Sequence, residues 1–278
     1  MRRRLDAELV RRGLAADPTA ARLLVADGRV LVGGAPALKD TRMVAAGESV
    51  VVEPVAARFV GRGGEKLDGA LERFEIHVGG LDVLDAGAST GGFTDCLLQR
   101  GARHVCALDV GHNQLHERLR SDPRVTVMER TNLRHVDPTE LGPFDGAVGD
   151  LSFISLGAVI DQLVGLVRPG APMVLLVKPQ FEASHEVVSR GRGIVADPDV
   201  WRDSLVSVLD AADRAGAAMM GVMASPLRGT GGNVEFLVHL RRTSADAPNG
   251  VEAGLVGAAR LEAVRAALAE AVADGVGR

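Results

Sequence analysis

Two kinds of segment alternate along the chain after residue 64. Short apolar runs rich in Val, Leu and Ala predict strands, and longer segments with apolar residues at helical spacing predict helices. Strands that alternate with helices favour an α/β fold, in which helices cover both faces of a mostly parallel sheet. We predict strands at 81–86, 104–109, 124–128, 144–149 and 172–177, and helices at 66–74, 92–100, 112–120, 155–167 and 199–215.

The alternation stops near the C-terminus. Predicted strands at 218–223 and 233–241 are separated by a Gly-rich turn at 229–232, which leaves no room for a crossover helix. These two strands must therefore be antiparallel neighbours. A seven-stranded sheet that ends in such a hairpin distinguishes Rossmann-like methyltransferases from dinucleotide-binding proteins. A final helix, over 251–273, has Ala and Leu on one face and charges on the other.

The first 60 residues predict a separate small α+β domain. Apolar residues at helical spacing begin at Leu5, and Asp17 or Thr19 is placed to cap a second helix that ends near Gly28. Short valine-rich strands follow. We therefore divide the chain into a domain at 1–58, a glycine-containing interdomain linker at 59–64, and a catalytic domain at 65–278.

Charge is distributed unevenly between these parts. The net charge is −4, yet residues 1–60 carry ten basic and seven acidic side chains, and the acidic excess lies in the remainder. A basic module joined to an acidic body is typical of a nucleic-acid-binding domain attached to a catalytic unit. The two cysteines, Cys96 and Cys106, are expected to be small buried side chains, and no Cys/His cluster has zinc-site spacing. We therefore expect no metal site. Neither a membrane span nor a secretory signal is evident, so we expect a cytoplasmic protein.

A Gly-rich turn follows the first predicted strand of the larger domain. Such a turn lets backbone N–H groups approach a ligand at the C-terminal end of the sheet. Asp85 precedes the turn, where it would face the amino-acid part of S-adenosylmethionine, and Asp109 ends the next strand, where it would bind ribose hydroxyls. Asp109 alone would also suit NAD, but the turn is not Gly-x-Gly-x-x-Gly and the terminal hairpin favours the methyl donor. The candidate cofactor-binding residues are Asp85, Gly87, Ala88, Ser89, Thr90, Gly91, Gly92, Phe93, Asp109, Asn132 and Asp150.

Four charged residues are predicted to meet at this same edge. Asp150 and Lys178 follow predicted strands, and Glu235 lies early in the antiparallel last strand. Lys66 opens the first helix of the larger domain. A lysine held among carboxylates and a second amine is a candidate base, or a cation that steers an oxygen. Each residue alone also has an ordinary structural interpretation, such as a strand-end lysine that reaches solvent.

Several motifs extend these observations into a family resemblance. The segment Arg4-Leu-Asp-x-x-Leu-x-x-Arg-Gly-Leu resembles the alpha-L RNA-binding motif. The rest resembles the TlyA family of bacterial rRNA ribose 2′-O-methyltransferases, historically labelled hemolysins, which have an FtsJ-like methyltransferase domain. The motifs that carry this resemblance are Arg62-Gly-Gly-x-Lys66-Leu, Asp85-Ala-Gly-Ala-Ser-Thr-Gly-Gly-Phe-Thr94, Glu129-Arg-Thr-Asn132, Asp150-Leu-Ser-Phe-Ile-Ser155, Val177-Lys-Pro-Gln-Phe-Glu182 and Gly232-Asn-Val-Glu235.

The resemblance implies a function. It implies transfer of a methyl group from S-adenosylmethionine to cytidine 2′-hydroxyls in rRNA of the small and large subunits. The family's Lys-Asp-Lys-Glu tetrad corresponds to Lys66, Asp150, Lys178 and Glu235. We expect RNA to contact Arg3, Arg4, Arg11, Arg22 and Arg62.

Two other functions stay open at this point. One is an RNA-binding, ribosome-associated factor with an inactive methyltransferase fold, which methylation of purified ribosomal subunits would exclude. The other is a membrane-active hemolysin, which leakage of dye from liposomes would support. An Ala-rich, acidic terminal helix is poorly suited to bind anionic lipid. The sequence does not indicate the oligomeric state.

Overall fold

The computed structural model describes residues 2–53, 57–244 and 254–276. They belong to two compact units, Met1–Ala57 and Arg58–Arg278. The predicted linker at 59–64 lies within the second unit, because Phe59 is buried in its core and a helix begins at Gly63. Phe59 packs where any side chain on Gly64 would collide with its ring, so the glycine permits this burial.

The first unit contains two helices and five short strands in residues 2–53, where its structure is described. Of the two predicted capping residues, Asp17 caps the second helix, since its carboxylate accepts hydrogen bonds from the N–H groups of Thr19 and Ala20, both at 2.8 Å. One sheet pairs β1 with β4, and a second has the order β3-β2-β5. The elements are β1 (Arg2–Arg4), α1 (Leu5–Arg11), α2 (Pro18–Ala26), β2 (Val30–Val32), β3 (Ala35–Pro36), β4 (Met43–Ala45) and β5 (Val50–Val52).

The second unit continues the chain with seven strands and nine helices in its described part. Short 3₁₀ turns lie at Leu133–His135, Leu156–Ala158 and Thr230–Gly232. The elements are α3 (Gly63–Arg73), β6 (Asp82–Ala86), α4 (Gly92–Gln99), β7 (His104–Leu108), α5 (Glu117–Arg120), β8 (Val125–Met128), α6 (Pro138–Leu141), β9 (Gly146–Gly149), α7 (Ile160–Gly165), β10 (Pro172–Val177), α8 (Pro179–Glu182), α9 (His185–Arg190), α10 (Pro198–Arg214), β11 (Ala217–Ala224), β12 (Phe236–Arg242) and α11 (Gly257–Val276).

The seven strands form one sheet in the order β11-β12-β10-β9-β6-β7-β8. Strands β6 to β10 pair in parallel, and β12 pairs antiparallel with both β10 and β11. The α/β fold, the seven strands and the antiparallel hairpin are thus confirmed. The chain moves outward from β6 to β8 and returns to β9 on the other side of β6. The carboxyl ends of β6 and β9 therefore form a topological switch point, where open α/β sheets bind ligands.

Two predicted helices differ from the structure. The helix predicted at 112–120 is reduced to α5, because Asn113 adopts a left-handed φ of 56° and the Glu129 carboxylate accepts the Gln114 N–H at 3.2 Å. The helix predicted at 155–167 is divided into a 3₁₀ turn and α7. In the terminal helix, residues 251–253 lie outside the described part of the chain, and α11 begins at Gly257. Across the described residues, no helix has the length and apolar character needed to cross a membrane.

Candidate active site

The Gly-rich turn lies at the switch point of the sheet. Gly87 has a φ of 85°, a left-handed conformation that favours glycine. A Cβ on Gly87 would lie 2.8 Å from the backbone oxygen of Asp150, so the two strand ends approach too closely for a side chain. Gly91, at a φ of 98°, then leads into α4. The turn thus exposes backbone N–H and C=O groups at the carboxyl edge of the sheet, where the charged side chains of the site also lie.

Two lysine–carboxylate pairs face one cavity beside this turn. Lys66 Nζ lies 2.5 Å from Glu235 Oε2, and Lys178 Nζ lies 2.6 Å from Asp150 Oδ1. The cavity has a volume of about 250 Å³. The structure therefore brings together the four residues that the sequence predicts. The cavity is lined by Arg62, Gly63, Lys66, Gly87, Ala88, Ser89, Thr90, Gly92, Phe93, Asp150, Ser152, Lys178 and Glu235.

The fold explains why residues so distant in sequence converge. Asp150 and Lys178 directly follow the parallel strands β9 and β10, so both lie at the carboxyl edge. Glu235 directly precedes β12, which is antiparallel and therefore begins at that same edge. Gly229 makes room for Glu235, because a side chain there would collide with the Glu235 carboxylate.

The two pairs differ in their surroundings. Lys66 and Glu235 are 8% and 3% exposed, so each charge depends on the other. Lys178 also donates to Ser152 Oγ at 2.8 Å and lies 5.7 Å from the centre of the Phe181 ring. Asp150 is partly exposed to the cavity. Ser152 was not predicted from the sequence, although a hydroxyl two residues after a strand-end acid is a signal that could have identified it.

A second cavity, of about 290 Å³, adjoins the first. Asp109 lies in its wall, and its carboxylate accepts hydrogen bonds from the N–H groups of Ser89, at 2.8 Å, and Gly111, at 2.6 Å. The two cavities share Gly87, Ser89, Asp150 and Ser152. The remaining lining is mostly apolar and comprises Leu108, Val110, Gly111, Gln114, Thr131, Leu133, Leu151, Phe153, Ile154 and Val159.

Asp85 lies behind the turn rather than in either cavity lining. It is fully buried and accepts a hydrogen bond from the Thr94 hydroxyl at 2.6 Å. Within the described part of the chain, its other oxygen, Oδ1, has no hydrogen-bond partner. Burial raises the pKa of Asp85 to about 7, and the charges of Asp150 and Asp109 act in the same direction.

The remaining predicted cofactor residues have different positions. Ala88, Ser89, Thr90, Gly92 and Phe93 line the first cavity. Gly91 packs against Leu115 and Leu119 behind the turn. Asn132 accepts the Arg134 N–H at 3.1 Å and caps a 3₁₀ turn, whereas its neighbours Thr131 and Leu133 line the second cavity.

The residues present fit S-adenosylmethionine. The Asp109 carboxylate can accept ribose hydroxyls, and the apolar lining beside it suits an adenine ring. A Cβ at Gly87 would fill the boundary between the cavities. The unpartnered oxygen of Asp85 is a buried acceptor two residues before Gly87, and it lines neither cavity.

The predicted RNA-binding arginines are all exposed. In the first unit, Arg4 pairs with Asp6 at 2.8 Å and Arg11 pairs with Glu8 at 2.6 Å. Arg22 donates to the Pro18 carbonyl at 3.1 Å, and Arg3 lies in β1. In the second unit, Arg62 lies at the wall of the first cavity.

His112 and His116, which are four residues apart, each have another partner. His112 Nδ1 lies 3.3 Å from Glu129 Oε2, and His116 Nδ1 accepts the Arg118 N–H at 3.1 Å. Among the residues that the structure describes, no three His, Cys, Asp or Glu side chains are grouped to hold a metal.

Comparisons with known proteins identify the family of this chain. The family model described as FtsJ-like methyltransferase matches residues 59–242. The 16S/23S rRNA (cytidine-2′-O)-methyltransferase TlyA of Mycobacterium tuberculosis is 49% identical over 242 residues, which cover 86% of this chain and 90% of that protein. Hemolysin A of Brachyspira hyodysenteriae is 35% identical over 85% of this chain and 98% of its own length. A solved structure of a hemolysin-named protein from Streptococcus thermophilus aligns with a TM-score of 0.71 and 36% identity, and it covers 99% of this chain and 98% of its own.

Proposed function

This chain belongs to the FtsJ-like methyltransferase family, and we propose that it methylates the ribose 2′-hydroxyl of cytidines in ribosomal RNA. The observation that supports this most strongly is the convergence of Lys66, Asp150, Lys178 and Glu235 on one cavity. That cavity shares a wall with the one that fits the methyl donor. The substrate follows from relatives named as rRNA (cytidine-2′-O)-methyltransferases.

The donor would be held by the turn and the two acids beside it. S-adenosylmethionine, when bound, supplies an electrophilic methyl group on a positively charged sulfur. Asp109 would accept hydrogen bonds from the ribose, and Asp85 would face the ammonium group. Asp150, at the shared wall, would place a negative charge near the sulfonium. These roles explain why acids, rather than amides, lie at the ends of β6, β7 and β9.

Lys178 is the residue we assign to the attacking hydroxyl. A ribose 2′-hydroxyl is a weak nucleophile until its proton is removed or polarised. Lys178 would accept that proton in its neutral form, or orient the oxygen as a cation, while Asp150 and Ser152 hold its amine in place. Alignment of the reacting atoms by these contacts would supply much of the rate acceleration.

Lys66 and Glu235 would position the ribose. Their mutual contact, at 2.5 Å, satisfies both charges inside a buried wall of the cavity. The pair therefore presents a fixed polar surface to the substrate. The exposed arginines Arg3, Arg4, Arg11 and Arg22 would contact RNA phosphates, as would Arg62 at the cavity.

The test is methylation of purified small and large ribosomal subunits, with rRNA fragments analysed by mass spectrometry. We expect a mass increase of one methyl group, on the ribose of cytidine, in the presence of S-adenosylmethionine. Lys178→Ala serves as the inactive control. No methylation of either subunit would refute the proposal, and leakage of dye from liposomes would favour the hemolysin name carried by some relatives.

A further inference from the structure

Two segments leave the neighbouring parallel strands β9 and β10 and run beside each other. We call them the Asp150 segment, residues 150–156, and the Lys178 segment, residues 178–182. Three contacts join them in order along their length. Lys178 contacts Asp150 and Ser152, and the rings of Phe181 and Phe153 lie 5.4 Å apart.

Glu182 makes the third contact, farthest from the cavity. Its Oε2 accepts the Ser155 hydroxyl at 2.6 Å, and its Oε1 accepts the Leu156 N–H at 2.7 Å. The carboxylate thus caps the 3₁₀ turn that begins at Leu156. Burial raises the pKa of Glu182, while these hydrogen bonds favour its ionised form. None of Glu182, Ser155 and Leu156 lines either of the two cavities.

The Asp150 segment depends on this anchor. Phe153 is 91% exposed and has a left-handed φ of 64°, a conformation that costs about 1–3 kcal/mol and persists only where neighbouring contacts impose it. Ser152 precedes it and is itself exposed. Leu151 and Ile154 pack against the core, and the Glu182 carboxylate fixes the far end of the segment, beyond the exposed residues Ser152 and Phe153.

We propose that Glu182 is a positioning residue for the methyl transfer, because it fixes the Asp150 segment and so holds the Lys178 amine in place. Glu182 does not itself contact the substrate or the donor. This inference rests on the function proposed above. A displacement of about 1 Å at reacting groups can reduce a rate by about 100-fold, so a distant anchor has a measurable effect.

The test compares Glu182→Ala with Glu182→Gln in single-turnover methyl transfer. The alanine removes both hydrogen bonds. The glutamine keeps them, because its amide oxygen can accept the Leu156 N–H and its NH₂ group can donate to the Ser155 oxygen. We expect the alanine variant to react about 10- to 100-fold more slowly at saturating donor. We expect the glutamine variant to recover most of the rate. Glu186→Ala is the matched control, because Glu186 is exposed and pairs only within α9 to Arg190 among the described contacts.

Three results would overturn the inference. An unchanged rate in Glu182→Ala would show that the anchor is dispensable. A glutamine variant as slow as the alanine variant would show that the charge itself acts. If Glu182→Ala does not fold, Ser155→Ala removes one of the two hydrogen bonds, and an undiminished rate there would also contradict the inference.

The proposed function can fail separately. If the wild-type protein methylates neither subunit, the inference is decided by a crystal structure of Glu182→Ala, or of Ser155→Ala if the former does not fold. We expect the separation of Lys178 Nζ and Ser152 Oγ to increase beyond hydrogen-bond distance. Retention of the 2.8 Å contact would refute the positioning role.

Discussion

The two adjoining cavities differ in their chemistry although they share a wall at Gly87. The first contains two amines and two carboxylates, arranged as close ion pairs. The second has Asp109 and the shared Asp150 among mostly apolar side chains. We call them the transfer cavity and the donor cavity. Under the proposed function, charge would be concentrated where a proton and a methyl group move, whereas the shape of the second cavity and its own acid, Asp109, would serve recognition of the donor. Substitutions should therefore separate chemistry from donor binding.

The largest separation is expected for Lys178→Ala. Loss of the amine removes the group that accepts or polarises the hydroxyl proton, so we expect methyl transfer to fall by about 100- to 10,000-fold. Donor affinity, measured by calorimetry with S-adenosylhomocysteine, should stay within about threefold, since Lys178 lies outside the donor cavity lining. A parallel loss of donor binding would contradict the separation.

The second prediction concerns stability in the transfer cavity. Lys66→Ala leaves the Glu235 carboxylate buried without its partner, so we expect the free energy of unfolding to fall by about 3–5 kcal/mol. The double variant Lys66→Met with Glu235→Leu removes both charges and should recover most of that stability. Urea denaturation measures both values. A single variant as stable as the wild type would show that the pair is not a buried unit.

The reverse of the Lys178→Ala result, a loss of donor affinity with little change in rate, is expected for Asp109→Ala. This loss should be smaller than the loss of rate in Lys178→Ala. The ribose would lose hydrogen bonds to a charged acceptor, which are each worth about 1.5–3 kcal/mol. We therefore expect donor affinity to fall by about 10- to 100-fold while the rate at saturating donor changes little. Calorimetry and single-turnover rates measured on the same samples separate the two quantities. A lower rate at saturating donor would show that Asp109 also affects the methyl-transfer step, which contradicts the separate roles of the two cavities.

The last prediction is a pH dependence of stability that originates with Asp85, behind the shared wall. Because burial raises the pKa of Asp85 to about 7, the folded protein keeps this proton over a range in which the unfolded chain loses it. The contribution of Asp85 to stability should thus be present below about pH 4 and decline as pH rises to about 7, by at most about 1.4 kcal/mol per pH unit. Asp85→Asn should flatten this part of the profile, measured by urea denaturation without donor. Identical stability profiles for the wild type and Asp85→Asn would show that Asp85 is exposed to solvent and that its pKa is not raised.

The sequence predicted the charged residues of the two cavities that lie at strand ends. Asp109, Asp150 and Lys178 each end or follow an apolar run, and parallel strands must bring such positions to one edge. The predicted antiparallel hairpin brings Glu235, which lies at the start of the last strand, to that same edge. Periodicity is a local property, so it sufficed for these residues.

Other features depend on contacts between segments and could not be predicted from periodicity. The wall near Gln114 is irregular because Asn113 adopts a left-handed φ and the Glu129 carboxylate accepts the Gln114 N–H. Phe59 appeared to lie in a linker, but it is buried because Gly64 leaves space for its ring. Ser152 belongs to the site because it lines both cavities and accepts a hydrogen bond from the Lys178 amine.

A crystal structure with S-adenosylhomocysteine bound would locate the donor relative to both cavities. We expect the ribose to contact Asp109 in the donor cavity, and the sulfur to lie at the shared wall beside Asp150, facing Lys178. We also expect Lys66 and Glu235 still to line the transfer cavity. Adenosine bound elsewhere, or Lys178 directed away from the sulfur, would contradict this arrangement.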